Sequence, residues 1–335
     1  MNTTQESAVV TRVVAVAADA SSPQPGSRIA GLGAYRPVTV VSNQAAAGAA
    51  GVGTAWIEQR VGIRERRHAN AAESVVAMAV EAGKKALADA GAEADAVDVV
   101  ILATCSMPSP MPNGAASVAA GLDCPAAAGF DVNAACSGFS HALAVADALV
   151  RAATARNVLV VASERMSDWV SAQDRDTGPI FADGAAAALV VAAERPEIFP
   201  IAWGSDGHQA GLITILPDTG HMEMAGRKVF RWTTSALMPA IHTACQRAGI
   251  DPRQLKAFVP HQANLRIIST LAEAIGVPGM ITAIDVVTSG NTCAASVPLA
   301  LHALRQSGQI HSGDPVLLFG FGAGLTYAAQ VVLTP

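Results

Sequence analysis

Aromatic residues are scarce in this chain, 4% of it, and charged residues account for only 15%. A core built on large rings is therefore excluded, and so is a polyelectrolyte surface. The formal net charge of −5 offers nothing that would hold a nucleic-acid backbone. No apolar run is long enough to span a bilayer. Residues 9–18 are apolar, but Glu6, Arg12 and Asp19 around and within them make a poor signal peptide. The five cysteines have no paired spacing, so a disulfide frame is not expected; they read as reduced thiols in a cytoplasmic protein. No Cys/His cluster has the spacing of a zinc site, and no metal is expected.

What is present is small and apolar. Of the 335 residues, 51% are hydrophobic and 29 are glycine, which predicts a tightly packed core of short side chains. The length suits one large domain or two fused modules. Residues 1–27, ending in Ser-Ser-Pro-Gln-Pro-Gly-Ser, read as a flexible extension, with a strand starting at Arg28. Ser42 is placed to cap a short helix. Residues 74–90 have helical apolar spacing, with Gly91 as the stop. Residues 97–104, apolar apart from Asp98 and Thr104, read as a strand covered on both faces. Pro108, Pro110 and Pro112 force a loop after it.

Three stretches carry chemistry. In Asp131-Val132-Asn133-Ala134-Ala135-Cys136-Ser137-Gly138-Phe139-Ser140-His141, a short apolar strand over 126–132 meets a helix over 139–150. Cys136 sits at the turn between them, where small neighbours admit a substrate and the free N–H groups of a helix start favour a thiolate. The alternative is an inert buried thiol. In Phe258-Val259-Pro260-His261-Gln262-Ala263-Asn264-Leu265-Arg266, a histidine ends a strand before a helix. In Ser289-Gly290-Asn291-Thr292-Cys293-Ala294-Ala295-Ser296, a Gly-Asn turn opens a helix rich in small residues. A strand-end histidine is often structural and Gly-Asn is an ordinary turn, so the weight lies in the combination. Strands and helices also recur in the same order in both parts of the chain. That predicts two similar halves, 28–200 with the cysteine and 201–335 with the histidine and asparagine, with two equivalent helix starts facing one site.

In this order the three stretches resemble the Cys-His-Asn set of the β-ketoacyl-[acyl carrier protein] synthase III family of the thiolase superfamily. The resemblance runs from about Arg28 to the C-terminus, and includes Gly-Phe-Gly-Ala-Gly at residues 320–324. It implies an α/β thiolase fold of five layers, α-β-α-β-α. It implies an acyltransferase in which acyl-CoA loads Cys136. Decarboxylative Claisen condensation with malonyl-acyl carrier protein follows, with His261 and Asn291 stabilising the enolate and no cofactor needed. The oxyanion hole would be the backbone N–H groups of Cys136 and Ala323. Trp56 and Arg175 resemble a pair that sandwiches adenine, with Arg60 and Arg227 meeting the phosphates of coenzyme A. Arg231 and Arg266 resemble a rim for an acidic carrier protein, although Glu273 and Ala274 stand where some relatives have lysine. The acyl pocket would take in Pro179, Ile180, Phe181 and Phe321, and Met111 from the partner subunit of a homodimer, with Pro179 expected to shape its loop more than to touch substrate. Gly178 is expected to leave room there. Cys293, where the family commonly has serine, reads as packing. Chalcone-type synthases differ in the flanking motifs, biosynthetic thiolases add a second catalytic cysteine, and hydroxymethylglutaryl-CoA synthases add a glutamate that has no assigned position here. Fatty-acid initiation is the first expectation, and priming of a polyketide or other secondary pathway is the alternative.

Overall fold

A computed structural model describes residues 26–335. Residues 1–25, most of the expected extension, lie outside the described residues. Gly26 and Ser27 do not belong to an extension: they begin the Gly26–Tyr35 strand. The Ser27 hydroxyl donates to Asp147 Oδ1 at 2.7 Å and its carbonyl accepts from the N–H groups of Glu197 and Ile198, which ties the strand's first residues into the core.

Two five-stranded mixed sheets form the frame. The first runs in the order Gly26–Tyr35, Asp183–Ala193, Asn157–Arg165, Val99–Ala103, Ala128–Val132. The second runs Ala202–Ser205, Thr326–Leu333, Pro315–Gly322, Ala257–Pro260, Ile281–Thr282. Taken in chain order within its half, each sheet has its first strand at one edge, then the fifth, fourth, second and third. Each has two antiparallel pairings followed by two parallel ones. The two halves therefore share one topology.

Strand side chains alternate between two compartments, because successive Cβ atoms point to opposite faces. Ile101 and Ala103 enter the central core with Val158 and Val160, whereas Val100 and Leu102 enter an outer core with Leu159 and Val161. The helices Gly138–Arg151 and Ser296–Gln306 fill the space between the sheets. The Val75–Ala90 helix covers the outer face of the first sheet, and the Met238–Ala248 and Leu265–Ile275 helices lie on the outer side of the second. The result is five layers, α-β-α-β-α. Alanine and glycine abound because central helices must pack against sheets on both sides.

Helix boundaries follow local chemistry. Ser42 and Ser74 accept the N–H groups of Ala45 and Ala77, caps worth about 1 kcal/mol each, and Gly51 and Gly91 close the same helices. No helix among the described residues is long and apolar enough to cross a membrane.

Candidate active site

The site lies where several strands end, at the carboxyl edge of both sheets. The strand Ala128–Val132 leads into a single 3-10 turn, Ala135–Ser137, and on into the central helix Gly138–Arg151. The turn is entered through Ala135 at φ 44°, and it points Cys136 into a cavity of about 520 Å³. His261, Asn291, Phe321, Gly322 and Ala323 line the same cavity. The catalytic set read from three separate stretches is thus one cluster, and both expected oxyanion donors belong to it. Gly322 permits the approach: a Cβ there would lie 2.7 Å from Cys136 Cβ and 3.1 Å from its sulfur.

His261 is the first residue after the Ala257–Pro260 strand and is 2% exposed. Its own N–H donates to Phe319 O at 2.6 Å, and its ring meets Phe321 edge-on at 5.1 Å. Its Nδ1 lies 2.7 Å from Ser296 Oγ, which also accepts the Gln262 N–H at 3.3 Å. The Ser296 hydroxyl can donate to Nδ1 while it accepts that N–H, and in the tautomer that this pairing selects Nε2 carries the proton and is a donor. Asn291 is fixed as firmly. Its N–H donates to Ile180 O, its carbonyl accepts from Ala182 N–H, and its side-chain Oδ1 accepts the Cys293 N–H at 2.9 Å. Only the side-chain amide donors remain for the cavity. Two hydrogen-bond donors beside a thiol can stabilise an enolate oxygen.

The Cys136 thiol is held well below the ordinary thiol range. The Cys293 S–H, 3.3 Å from it, donates to the thiolate, and His261 stabilises the charge against the cost of burial. Cys293 is raised correspondingly, first by its hydrogen bonding to Cys105 and Cys136. Cys293 does pack, 1% exposed within an apolar cluster, but it also lines the cavity and touches the Cys136 sulfur.

Behind these thiols lies Glu164, which sequence reasoning missed. It is fully buried at the end of the Asn157–Arg165 strand. It accepts from the hydroxyls of Thr104 and Ser106 and from the N–H groups of Cys105 and Ala294. Burial outweighs those bonds and pushes its carboxyl up to about 7. Cys105, Glu164 and Cys293 present ligand-type atoms within 4.8 Å of one another, a group that separated sequence positions hide.

The apolar wall is formed by Ile180, Phe181, Phe321, Met166, Trp169, Met222 and Met224, among others. The last two belong to a ribbon, Ile213–Ile215 paired with Met222–Met224. Pro179 does not line the cavity. Its carbonyl accepts from Arg66 Nη2 at 2.9 Å, so its place is to hold the loop. Gly178 leaves no room either: a Cβ there would meet the carbonyl oxygens of Ser171, Ala172 and Asp174 at under 3 Å. Arg66, also missed from sequence, is fully buried. It spans Val41 O, Asn43 Oδ1 and Pro179 O, and burial lowers its pKa to about 10, so it stays charged at neutral pH. Met111 lies outside this chain's own cavity and is 80% exposed.

The mouth is basic despite the acidic whole. Arg60, Arg227 and Arg266 line it, with Asp176 paired to Arg60 at 3.4 Å across solvent, a weak tie. The guanidinium carbons of Arg175 and Arg60 sit 4.9 and 5.2 Å from the Trp56 ring. Arg60, Arg175, Arg227 and Lys228 also line an adjoining depression. Arg266 stacks on Phe230 at 5.6 Å. Arg231 does not line the cavity; it is exposed one helical turn beyond Arg227.

With this geometry in view, known proteins give a consistent answer. Residues 130–207 match the family model for 3-oxoacyl-[acyl-carrier-protein] synthase III, and residues 245–334 match the model for its C-terminal part. β-Ketoacyl-[acyl-carrier-protein] synthase III 4 of Streptomyces coelicolor is 46% identical over 92% of this chain and 99% of its own length. This chain belongs to the β-ketoacyl-[acyl carrier protein] synthase III family. A priming β-ketosynthase from the R1128 polyketide biosynthetic pathway aligns with a TM-score of 0.90 at 40% identity, covering 94% of this chain and 98% of that one. The synthase III of Pseudomonas aeruginosa PAO1 aligns with a TM-score of 0.88 at 34% identity, covering 92% and 98%. The five-layered arrangement described above is thus the thiolase fold of synthase III enzymes.

Proposed function

We propose that this synthase III family member primes chain synthesis. An acyl-CoA transfers its acyl group to Cys136, forming a thioester and releasing free coenzyme A. A malonyl-acyl carrier protein then enters. Loss of carbon dioxide turns its malonyl group into an enolate, whose carbon attacks the acyl-enzyme and gives a 3-oxoacyl carrier protein. The N–H groups of Cys136 and Ala323 hold the oxyanion in each acyl transfer, and Nε2 of His261 and the Asn291 amide hold the enolate oxygen. Decarboxylation supplies the carbanion, so these residues need neither a carboxylate base nor a cofactor. The observation that carries this reading is the meeting of Cys136, His261 and Asn291 in one apolar cavity behind an arginine-lined mouth.

Arg60, Arg175 and Arg227 suit the phosphates of coenzyme A, with adenine entering between Arg175 and Trp56. Arg231 and Arg266, exposed beside the mouth, suit an acidic carrier protein. The working form is a homodimer in the cytoplasm. In its favour, Met111 is 80% exposed, the strand Ala128–Val132 ends its sheet, and Phe130 on that edge is 37% exposed.

A starter unit larger than acetyl, as in priming a secondary pathway, is favoured over plain fatty-acid initiation by the methionine-rich wall. Met166, Met222 and Met224 can yield to longer or branched chains. The test is a mass-spectrometric screen of acyl-CoAs for adducts on Cys136, each then challenged with malonyl-CoA and malonyl carrier protein. Larger adducts discharged by malonyl carrier protein are expected. Loading by acetyl alone contradicts the larger starter, and discharge to an alcohol or amine instead contradicts condensation.

A further inference from the structure

We infer that Cys136 and Cys293, backed by Cys105, form a reversible thiol-oxidation site in which Cys293 is the resolving thiol that protects the nucleophile. The sulfurs make a chain: Cys136 Sγ lies 3.3 Å from Cys293 Sγ, which lies 3.4 Å from Cys105 Sγ. A disulfide needs about 2.0 Å. The remaining gap is within reach of side-chain rotation, since the two turns that carry Cys136 and Cys293 pack directly against each other. Cys124 and Cys245 take no part: they are buried in separate outer cores.

Cys105, Cys136 and Cys293 all line the cavity, so a small hydroperoxide that enters the acyl pocket can reach each of them, and reactivity decides between them. The depressed pKa of Cys136 supplies the thiolate, whereas Cys105 is pushed up to about 11: hydrogen bonding with Cys293 lowers it, but burial and Glu164 raise it further. The thiolate attacks the peroxide; an S–O bond forms, the O–O bond breaks, and the released alkoxide or hydroxide takes a proton from water. The sulfur is oxidised by two electrons to a sulfenic acid and the peroxide is reduced. The Cys293 sulfur then attacks the Cys136 sulfur. An S–S bond forms, the S–O bond breaks, and the departing hydroxide leaves as water with the Cys293 proton. Cys105 can in turn attack Cys293 and bond to it, which returns Cys136 as a free thiol. Without Cys293, the sulfenic acid has no thiol in contact and continues to the irreversible sulfinic acid.

The experiment treats the reduced full-length protein with hydrogen peroxide, blocks free thiols under denaturing conditions, and maps peptides without reduction. The expected result is a Cys293 peptide bridged to Cys136, or to Cys105 after exchange, with acyl loading lost while the Cys136 bridge persists and restored by dithiothreitol. In Cys293→Ser and Cys293→Ala, each checked for native circular dichroism, Cys136 is expected to gain two oxygens and dithiothreitol to restore nothing. A wild-type protein whose Cys136 becomes sulfinic acid with no Cys293-linked peptide overturns the inference, whatever the variants do. The peptide map does not use condensation, so its outcome is separate from that of the proposed function.

Discussion

The turns Ala135–Ser137 and Cys293–Ala295 hold equivalent places in the two halves. Each is one 3-10 turn entered through a residue at positive φ, Ala135 at 44° and Cys293 at 49°, and each opens a buried central helix. Their contents differ. The middle residue of the first is Cys136, facing the cavity; that of the second is Ala294, whose N–H donates to Glu164 Oε1 at 3.4 Å. In the second turn the Cys293 N–H holds the Asn291 side chain, and Ser296 at the start of its helix holds His261. One helix start presents a thiol, and its twin spends its groups on orienting two donors. Under the proposed function, a duplicated fold supplies both parts of a two-step reaction at one cavity.

The strongest way to break this contrast is to remove the group that sets the first turn apart. Cys136→Ala should abolish acyl loading. Cys293→Ala should still load, about tenfold more slowly, because the thiolate loses a charge-assisted donor. Intact mass after incubation with acyl-CoA reads both, and an adduct on Cys136→Ala would remove the asymmetry on which the account depends.

Glu164 sharpens the comparison, since it braces the second turn from below. Its folded pKa of about 7 stands above the ordinary 4.5, so the folded state keeps a proton that the unfolded state has released. Stability is then full below about 4.5 and falls as pH rises to about 7, by about 3 kcal/mol. Glu164→Gln keeps an acceptor and removes the titration. Thermal unfolding at pH 5 and pH 8 should show a marked decline for the wild type and a much smaller one for the variant. Equal declines would mean that Glu164 does not carry the penalty.

The smallest effect concerns the pocket at the end of the first half. If Met111 closes the partner's cavity, Met111→Phe should shift kcat/KM toward acetyl-CoA and away from hexanoyl-CoA. The shift should be graded rather than absolute, because one methylene in an apolar pocket is worth only about 1–3 kcal/mol and the flexible wall absorbs part of the change. Unchanged preference in a dimer confirmed by light scattering would take Met111 out of the pocket.

What the sequence made legible were features that one stretch carries by itself. The apolar run at 99–103, the Ser42 cap and the cysteine turn each depend on neighbours in the chain. The thiol chain was not legible, because Cys105, Cys136 and Cys293 follow three different strands and meet only when both sheets are formed. Glu164 left a local sign, a carboxylate in the apolar run Val-Leu-Val-Val-Ala-Ser-Glu, but its partners come from two other loops. Gly178 misled because a residue's size in sequence does not tell which side of a loop faces the cavity, whereas Pro179 shapes its loop as expected, with buried Arg66 holding its carbonyl. The helix Thr54–Val61 did leave a trace, since Trp56 and Arg60 are spaced one turn apart.

The central claim is that the two turns serve separate half-reactions, and single-turnover mass spectrometry on His261→Ala and Asn291→Ala tests it most directly. Each variant is mixed with acyl-CoA, and the Cys136 adduct is followed before and after malonyl carrier protein is added. The account predicts an adduct in both variants and a discharge slowed by about 10²–10³, the usual cost of one oxyanion-type donor. Discharge at the wild-type rate in either variant, or failure of both to load at all, would contradict it.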